Sequence, residues 1–236
     1  MVDIQNITVD FGGVRAVNDL CVTIDQPIVG MIGPNGAGKT TLLNVLSGFV
    51  RPTCGTVMAD GTNLLSLSPE KRARWGLRRT FQTEQVMDDL NVWDNIALVL
   101  DHVNQPRSER HDQVQAALDF VGLLDQAHNM GASLNATERR MIEIGRAIVG
   151  KPKLILMDEP GAGLSASEGN ALRDRIKAIP EKFGATVVLI DHDVELIAAV
   201  CTFTAVLDFG SLVAYGPTHE VMKDKRVKLA YMGIAD

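Results

Sequence analysis

From Gly33 to Thr41 the chain reads GPNGAGKTT, and each residue type in it suits the holding of a polyphosphate. Glycines at 33, 36 and 38 let the backbone curl until successive N–H groups point into one hollow, and a helix starting just behind them adds the positive end of its dipole. Lys39 offers a point charge to the β- and γ-phosphates, and Thr40 a hydroxyl to complete the shell of an accompanying Mg²⁺. Pro34, Asn35 and Ala37 complete the loop, and Thr41 belongs to the first helical turn. This is the spacing of a P-loop. A glycine-rich turn without a ligand is the competing explanation, and the flanks speak against it. Ile28, Val29, Met31 and Ile32 before the loop suit a strand buried on both faces, and Leu42, Leu43, Val45 and Leu46 after it suit a helix. Binding of a nucleotide is therefore expected.

Two further strand ends carry chemistry. Lys153–Asp158 is a second continuous apolar run, closing on Asp158-Glu159, and Ala185–Ile190 is a third, closing on Asp191-His192-Asp193. Ligands of parallel α/β sheets gather at the carboxyl ends of the strands, so the P-loop, Asp158-Glu159 and His192 are expected along one edge. Asp158 suits holding the waters around Mg²⁺, Glu159 the orientation or deprotonation of an attacking water, and His192 a contact to the γ-phosphate. Each has a plainer alternative, since carboxylates after strands often cap helices and a lone histidine is often structural. Gln82, at the end of Arg79-Thr80-Phe81-Gln82, is unremarkable by itself. Phe11 is either a turn-packing aromatic or a flat face for a nucleotide base.

The elements that position these residues follow from pattern. Asp3–Asp10 and Leu20–Asp25 read as strands around a turn at Phe11-Gly12-Gly13. Thr56–Ala59 with Asp60-Gly61-Thr62 reads as strand and hairpin turn, and Ser68-Pro69-Glu70 as a helix start. From Asp88 to Gly122, Val92, Ile96, Val99, Val103, Val114, Leu118 and Val121 recur at helical spacing, and a helix is expected from about Thr137 to Val149. Thr83–Gly150 is thus a helical insertion into an α/β core formed by residues 1–82 and 151–236. Ser165–Phe183 reads as an amphipathic helix. Thr204–Asp208 and Leu212–Tyr215 read as short strands about a Gly210-Ser211 turn, and a terminal helix pattern begins at Thr218.

Composition bounds the class. The 236 residues are 46% hydrophobic and 22% charged with net charge −6, which argues against a general nucleic-acid surface. Lys71, Arg72, Arg74, Arg78 and Arg79 form a basic cluster, expected as a solvated helical face rather than a contact to a partner or lipid. No apolar run approaches the ~18 residues of a membrane span, and the first ten residues lack the regions of a signal peptide. Cys21, Cys54 and Cys201 are expected as buried free thiols of a reducing compartment, which makes the cytoplasm the expected location.

The P-loop, the Gln82 position, LILMDEP and the LIDHD histidine, in this order, resemble the ATP-binding subunit of an ABC transporter, and the resemblance spans the chain. It implies a P-loop NTPase of the α/β class, with a RecA-like core, an antiparallel β subdomain and an inserted α-helical subdomain. It also implies two such subunits binding two ATP molecules head to tail. Carried onto this sequence, Phe11 stacks on the base, Lys39 and Thr40 serve phosphate and Mg²⁺, Gln82 is the loop glutamine at the metal, Glu159 is the catalytic carboxylate and His192 the switch histidine. FGGVRAVNDL, GLRRTFQ, DEPGAGL, VLDFGSLVAYG and the closing KRVKLAYMG are similar to the ATPases of branched-chain amino-acid importers. Permease subunits, a solute-binding protein acting through them, and attachment to the inner face of the membrane are implied with that.

One segment departs from the family. Where its members usually carry Leu-Ser-Gly-Gly-Gln, this chain has Leu134-Asn135-Ala136-Thr137-Glu138, and Ser165 stands where the next loop normally has Asp or Asn. Glycines allow close approach to a partner's ATP. Thr137 crowds that approach, and Glu138 adds negative charge, which repels a like charge at ~4 Å by about 4 kcal/mol at an effective dielectric of ~20. A weak signature beside a complete P-loop points to a heterodimer with a different ATPase subunit. A regulatory clamp with little turnover is the alternative.

Overall fold

The computed structural model describes residues 1–103 and 105–227. In chain order its strands are β1 (Val2–Phe11), β2 (Val14–Ile24), β3 (Ile28–Ile32), β4 (Cys54–Ala59), β5 (Thr62–Asn63), β6 (Leu77–Arg79), β7 (Leu154–Asp158), β8 (Thr186–Ile190), β9 (Phe203–Asp208) and β10 (Ser211–Pro217). Its α-helices are α1 (Lys39–Ser47), α2 (Pro69–Trp75), α3 (Val92–Ala97), α4 (Arg110–Val121), α5 (Ala136–Ile148), α6 (Ala166–Phe183), α7 (Val194–Val200), α8 (Thr218–Val221) and α9 (Lys225–Val227). The chain divides into two compact units, one of Met1–Arg72 with the chain from Thr186 onward, the other Ala73–Ala185.

The first unit holds an antiparallel sheet in the order β2-β1-β4-β5 and a set of strands in the order β10-β9-β3-β8. Alternation in β1 buries Val2, Ile4, Ile7 and Val9, and its register slips beside Asn6, whose φ is +53°. β3 lies parallel to both β8 and β9, and every residue of it is buried, as expected of a strand covered on both faces. β10 closes antiparallel on β9.

The second unit pairs β6 parallel with β7, and its helices α3–α6 bury Ile96, Val114, Leu118, Met141, Ile144 and Ile148. α6 presents Leu172, Ile176 and Ile179 to the core and tolerates Pro180 in its last turn. Together these elements are the α/β P-loop architecture with antiparallel strands and a helical region that the sequence implies.

Several expectations are corrected. β2 begins at Val14, not Leu20, because pairing with β1 extends it to the Gly12-Gly13 turn. Val103 lies outside the helices, and α7 was not expected, its seven residues being too short for a pattern. The β9–β10 turn is Phe209-Gly210. Of the basic cluster, Arg72 and Arg78 are buried and Arg79 nearly so, each turned inward onto backbone carbonyls or a carboxylate. Cys21 and Cys54 are exposed on the outer sheet, and only Cys201 is buried. All but the first three residues of KRVKLAYMG fall outside the described residues.

Candidate functional site

In the first unit β3 delivers the chain into the P-loop. Ala37 N donates to Pro34 O (3.1 Å), closing a tight turn, and α1 starts behind Gly38, which takes φ +98°. A Cβ on Gly38 would sit 2.4 Å from the carbonyl oxygen of Ala16, so only glycine fits where β2 crosses behind the loop. Gly38 has no side chain to cap the first turn of α1, and no acidic residue lies in that turn. The amides there and the dipole end thus present an anion-binding face. Lys39 is nearly buried, its Nζ donating to Gly33 O (2.6 Å) and Pro34 O (3.0 Å), which folds the amine over the loop. Asn35, Gly36 and Thr40 are exposed and Thr41 is half-buried. These residues fit a nucleotide polyphosphate.

The β3–β8 register, ending at Met31 opposite Ile190, brings the P-loop and Asp191-His192 out at the same end of two neighbouring strands. Asp193 spends its carboxylate on the N-terminus of α7, accepting from Glu195 N and Leu196 N. His192 stands outward, its side chain 68% exposed and its Nδ1 3.6 Å from the Asp191 carboxylate. Phe11 ends β1 opposite Val14, half-exposed at the hairpin tip.

In the second unit β6 runs parallel beside β7; Gln82 lies three residues past the end of β6, and Asp158 closes β7 with Glu159 just after it. Gln82 Nε2 donates to Glu159 Oε2 (3.0 Å), leaving the amide oxygen as the atom of that side chain able to meet a cation. Glu159 holds φ +47°, a left-handed conformation uncommon outside glycine and frequent at functional sites. Asp158 pairs with Arg79 (3.1 Å), and its N–H donates to Thr80 Oγ1 (3.4 Å). Burial lowers the Arg79 pKa while the neighbouring Asp158 opposes that shift. Arg140 was missed in the sequence. It donates to the carbonyls of Phe81 (2.8 Å) and Gln82 (3.1 Å) and pairs with Glu84 and Glu143, tying the Gln82 loop to α5. The oxygen donors Thr40, Gln82 and Asp158 are of the hard type that Mg²⁺ prefers.

The signature segment caps α5. Asn135 Oδ1 accepts from Glu138 N and Glu138 Oε2 accepts from Asn135 N (both 2.9 Å), a reciprocal capping box. Thr137 donates to Glu168, whose carboxylate also serves the Ser165 cap of α6. These hydrogen bonds hold Glu168 well below the usual carboxylate range, at about 2.

The family model described as "ABC transporter" matches residues 18–162. The chain belongs to the ABC transporter family. It is 32% identical to the high-affinity branched-chain amino acid transport ATP-binding protein LivG of Escherichia coli (strain K12), over 100% of this chain and 98% of that one. The identity is again 32% to BraF, which carries the same description, of Pseudomonas aeruginosa, with the same coverage. Among solved structures it resembles the ADP conformation of MJ1267, an ATP-binding cassette of an ABC transporter, with TM-score 0.87 and 25% identity over 99% of both chains. A nucleotide-free cassette from an ABC transporter matches with TM-score 0.84 and 25% identity, covering 100% of this chain and 99% of that one. The protein is an ATP-binding ATPase subunit of this family, and the regulatory-clamp reading is not favoured.

Proposed function

We propose that this ABC ATPase energises an importer of branched-chain or related amino acids. The transport reading is supported by full-length similarity to LivG and BraF. The catalytic assignment is carried by the Gln82–Glu159 hydrogen bond, which links the loop glutamine to a carboxylate at a strand tip. P-loop residues Gly33–Thr41 bind the phosphates of ATP, with Lys39 exchanging its loop carbonyls for phosphate oxygens, and Phe11 stacks on the base. Thr40, Gln82 and Asp158 would hold Mg²⁺, which when bound neutralises phosphate charge. Glu159 takes a proton from the attacking water as its oxygen bonds to the γ-phosphorus. The bond to the β–γ bridging oxygen breaks, giving ADP and phosphate. His192 contacts the γ-phosphate and reports its presence to α7.

The core of residues 1–82 and 151–236 carries the nucleotide, and the insertion 83–150, with the surface around Gln82, docks on permease subunits fed by a solute-binding protein. No helix among the described residues is long and apolar enough to cross a membrane. In our reading the subunit therefore reaches the cytoplasmic face through those permeases. Its second ATPase is a different chain with an intact signature, because Asn135, Ala136, Thr137 and Glu138 stand here in place of Ser-Gly-Gly-Gln, with Thr137 crowding and Glu138 repelling a partner's ATP.

Vesicles holding the co-expressed permeases and both ATPases, with the solute-binding protein on the opposite side, should take up labelled leucine with ATP on the cytoplasmic side. Lys39→Ala should stop uptake. Uptake of leucine independent of ATP, or none by the intact system while another solute moves, would reject the reading.

A further inference from the structure

Arg78 is only 7% exposed, yet its neighbours supply no counter-charge. Nη1 donates to Ala73 O (2.6 Å) and Leu77 O (3.0 Å), Nη2 to Gly150 O (3.5 Å), and Nε has no partner. Among the described residues no carboxylate forms an ion pair with it. Burial brings its pKa down to about 10, so it remains a cation at neutral pH. Arg79 and Arg146 line one cavity with Arg78, and Glu143 is the one carboxylate among its described lining residues, engaged by Arg140. Arg79 pairs with Asp158, and Arg146 donates to the carbonyls of Asn95 and Gln85. An unbalanced buried cation is expensive unless something compensates it.

The cavity, of about 170 Å³, is lined by Arg78, Arg79, Arg146 and Glu143 with Val99 and Gln85, the last of these exposed. It falls below the ~300–1,000 Å³ of pockets for drug-sized ligands. We propose that this cavity is a carboxylate site anchored by Arg78. A carboxylate accepts from the guanidinium in a charge-assisted hydrogen bond and balances the excess positive charge, while Val99 takes the methylene stem behind it. The carboxylate belongs either to a small molecule in solution or to an aspartate or glutamate of a bound permease subunit, and the latter source rests on the proposed function.

Two arms separate the sources. In the first, the isolated chain with ¹⁵N-labelled arginine is titrated with sodium acetate against sodium chloride at matched ionic strength. A saturable shift of the Arg78 Nε–H signal with acetate alone, and an acetate-dependent rise in Tm that Arg78→Leu abolishes, assigns a free carboxylate. In the second, the permease complex is purified with wild-type and Arg78→Leu chains. A tenfold or greater loss of co-purifying permease, with no acetate response in the first arm, assigns the side chain of the partner. Removing an unpaired charge should leave the Tm of Arg78→Leu in chloride at or above wild type. If that variant does not fold, Arg78→Lys, which keeps the charge and lacks the guanidinium, should weaken the responses several-fold. No acetate response together with undiminished assembly overturns the proposal. Failure of the intact system to transport leucine would reject the transport reading and leave the acetate arm standing.

Discussion

Lys39 sits with its amine against the carbonyls of Gly33 and Pro34, so in the proposed site phosphate would replace two neutral acceptors with charged oxygens. Lys39→Ala should therefore lower the affinity for a fluorescent ATP analogue and reduce Mg-ATP turnover by about 100-fold or more, the scale of losing a charge-stabilising donor. Unchanged turnover would remove it from the site. Lys39, Glu159 and His192 were singled out in the sequence because short, fixed spacings after apolar runs mark them. The roles of Arg79 and Arg140 were not legible, because what decides them lies far along the chain. The carboxylate of Asp158 is 79 positions from Arg79, and the carbonyl of Phe81 is 59 from Arg140. A run of basic residues on one stretch looks solvated until those partners are known.

At the scale of elements, caps and turns do the positioning. Asn135→Ala removes half of the α5 capping box and should cost about 1 kcal/mol. In a chain of this size that lowers Tm by roughly 2–4 °C, measurable by calorimetry. Glu168 ties the α5 and α6 N-termini, and its folded pKa of about 2 lies below its ordinary value of 4.5. Its contribution is therefore complete above pH 4.5 and is lost as pH falls through 2. The Tm difference between wild type and Glu168→Gln should shrink steadily across that window, and a constant difference would refute the linkage. Gly210 donates to Ala37 O (3.1 Å) and accepts from Asn18 N (2.8 Å), clamping the P-loop between the β9–β10 turn and β2. With φ +77° and an added Cβ only 2.9 Å from Ala16 O, Gly210→Ala should destabilise the fold by about 1–3 kcal/mol. It should also weaken ATP binding, to be read by calorimetric titration. Buried strands such as β3 and β7 were legible because they are continuous apolar runs, β7 up to its closing Asp158. β2 was mistaken at its start since Val14 and Arg15 are exposed, and pairing rather than burial makes them a strand.

For the whole molecule, family membership and the α/β architecture followed from motif order, whereas the meaning of Asn135–Glu138 did not. As a sequence it is a damaged signature, and folded it is a complete helix cap. The departure from the signature is what motivates the proposed asymmetric pair of ATPases. In a complex of this chain with its partner ATPase and permeases, the partner's equivalent Glu→Gln change should leave most of the phosphate release intact, and equal losses from the two changes would remove the asymmetry. The most direct measurement is phosphate release from Mg-ATP by that complex carrying Glu159→Gln, with bound ATP quantified on the same samples. The account predicts a loss of about 100-fold or more in release, the range for a positioned base, with ATP still bound. Release at the wild-type rate with Glu159 replaced would contradict it.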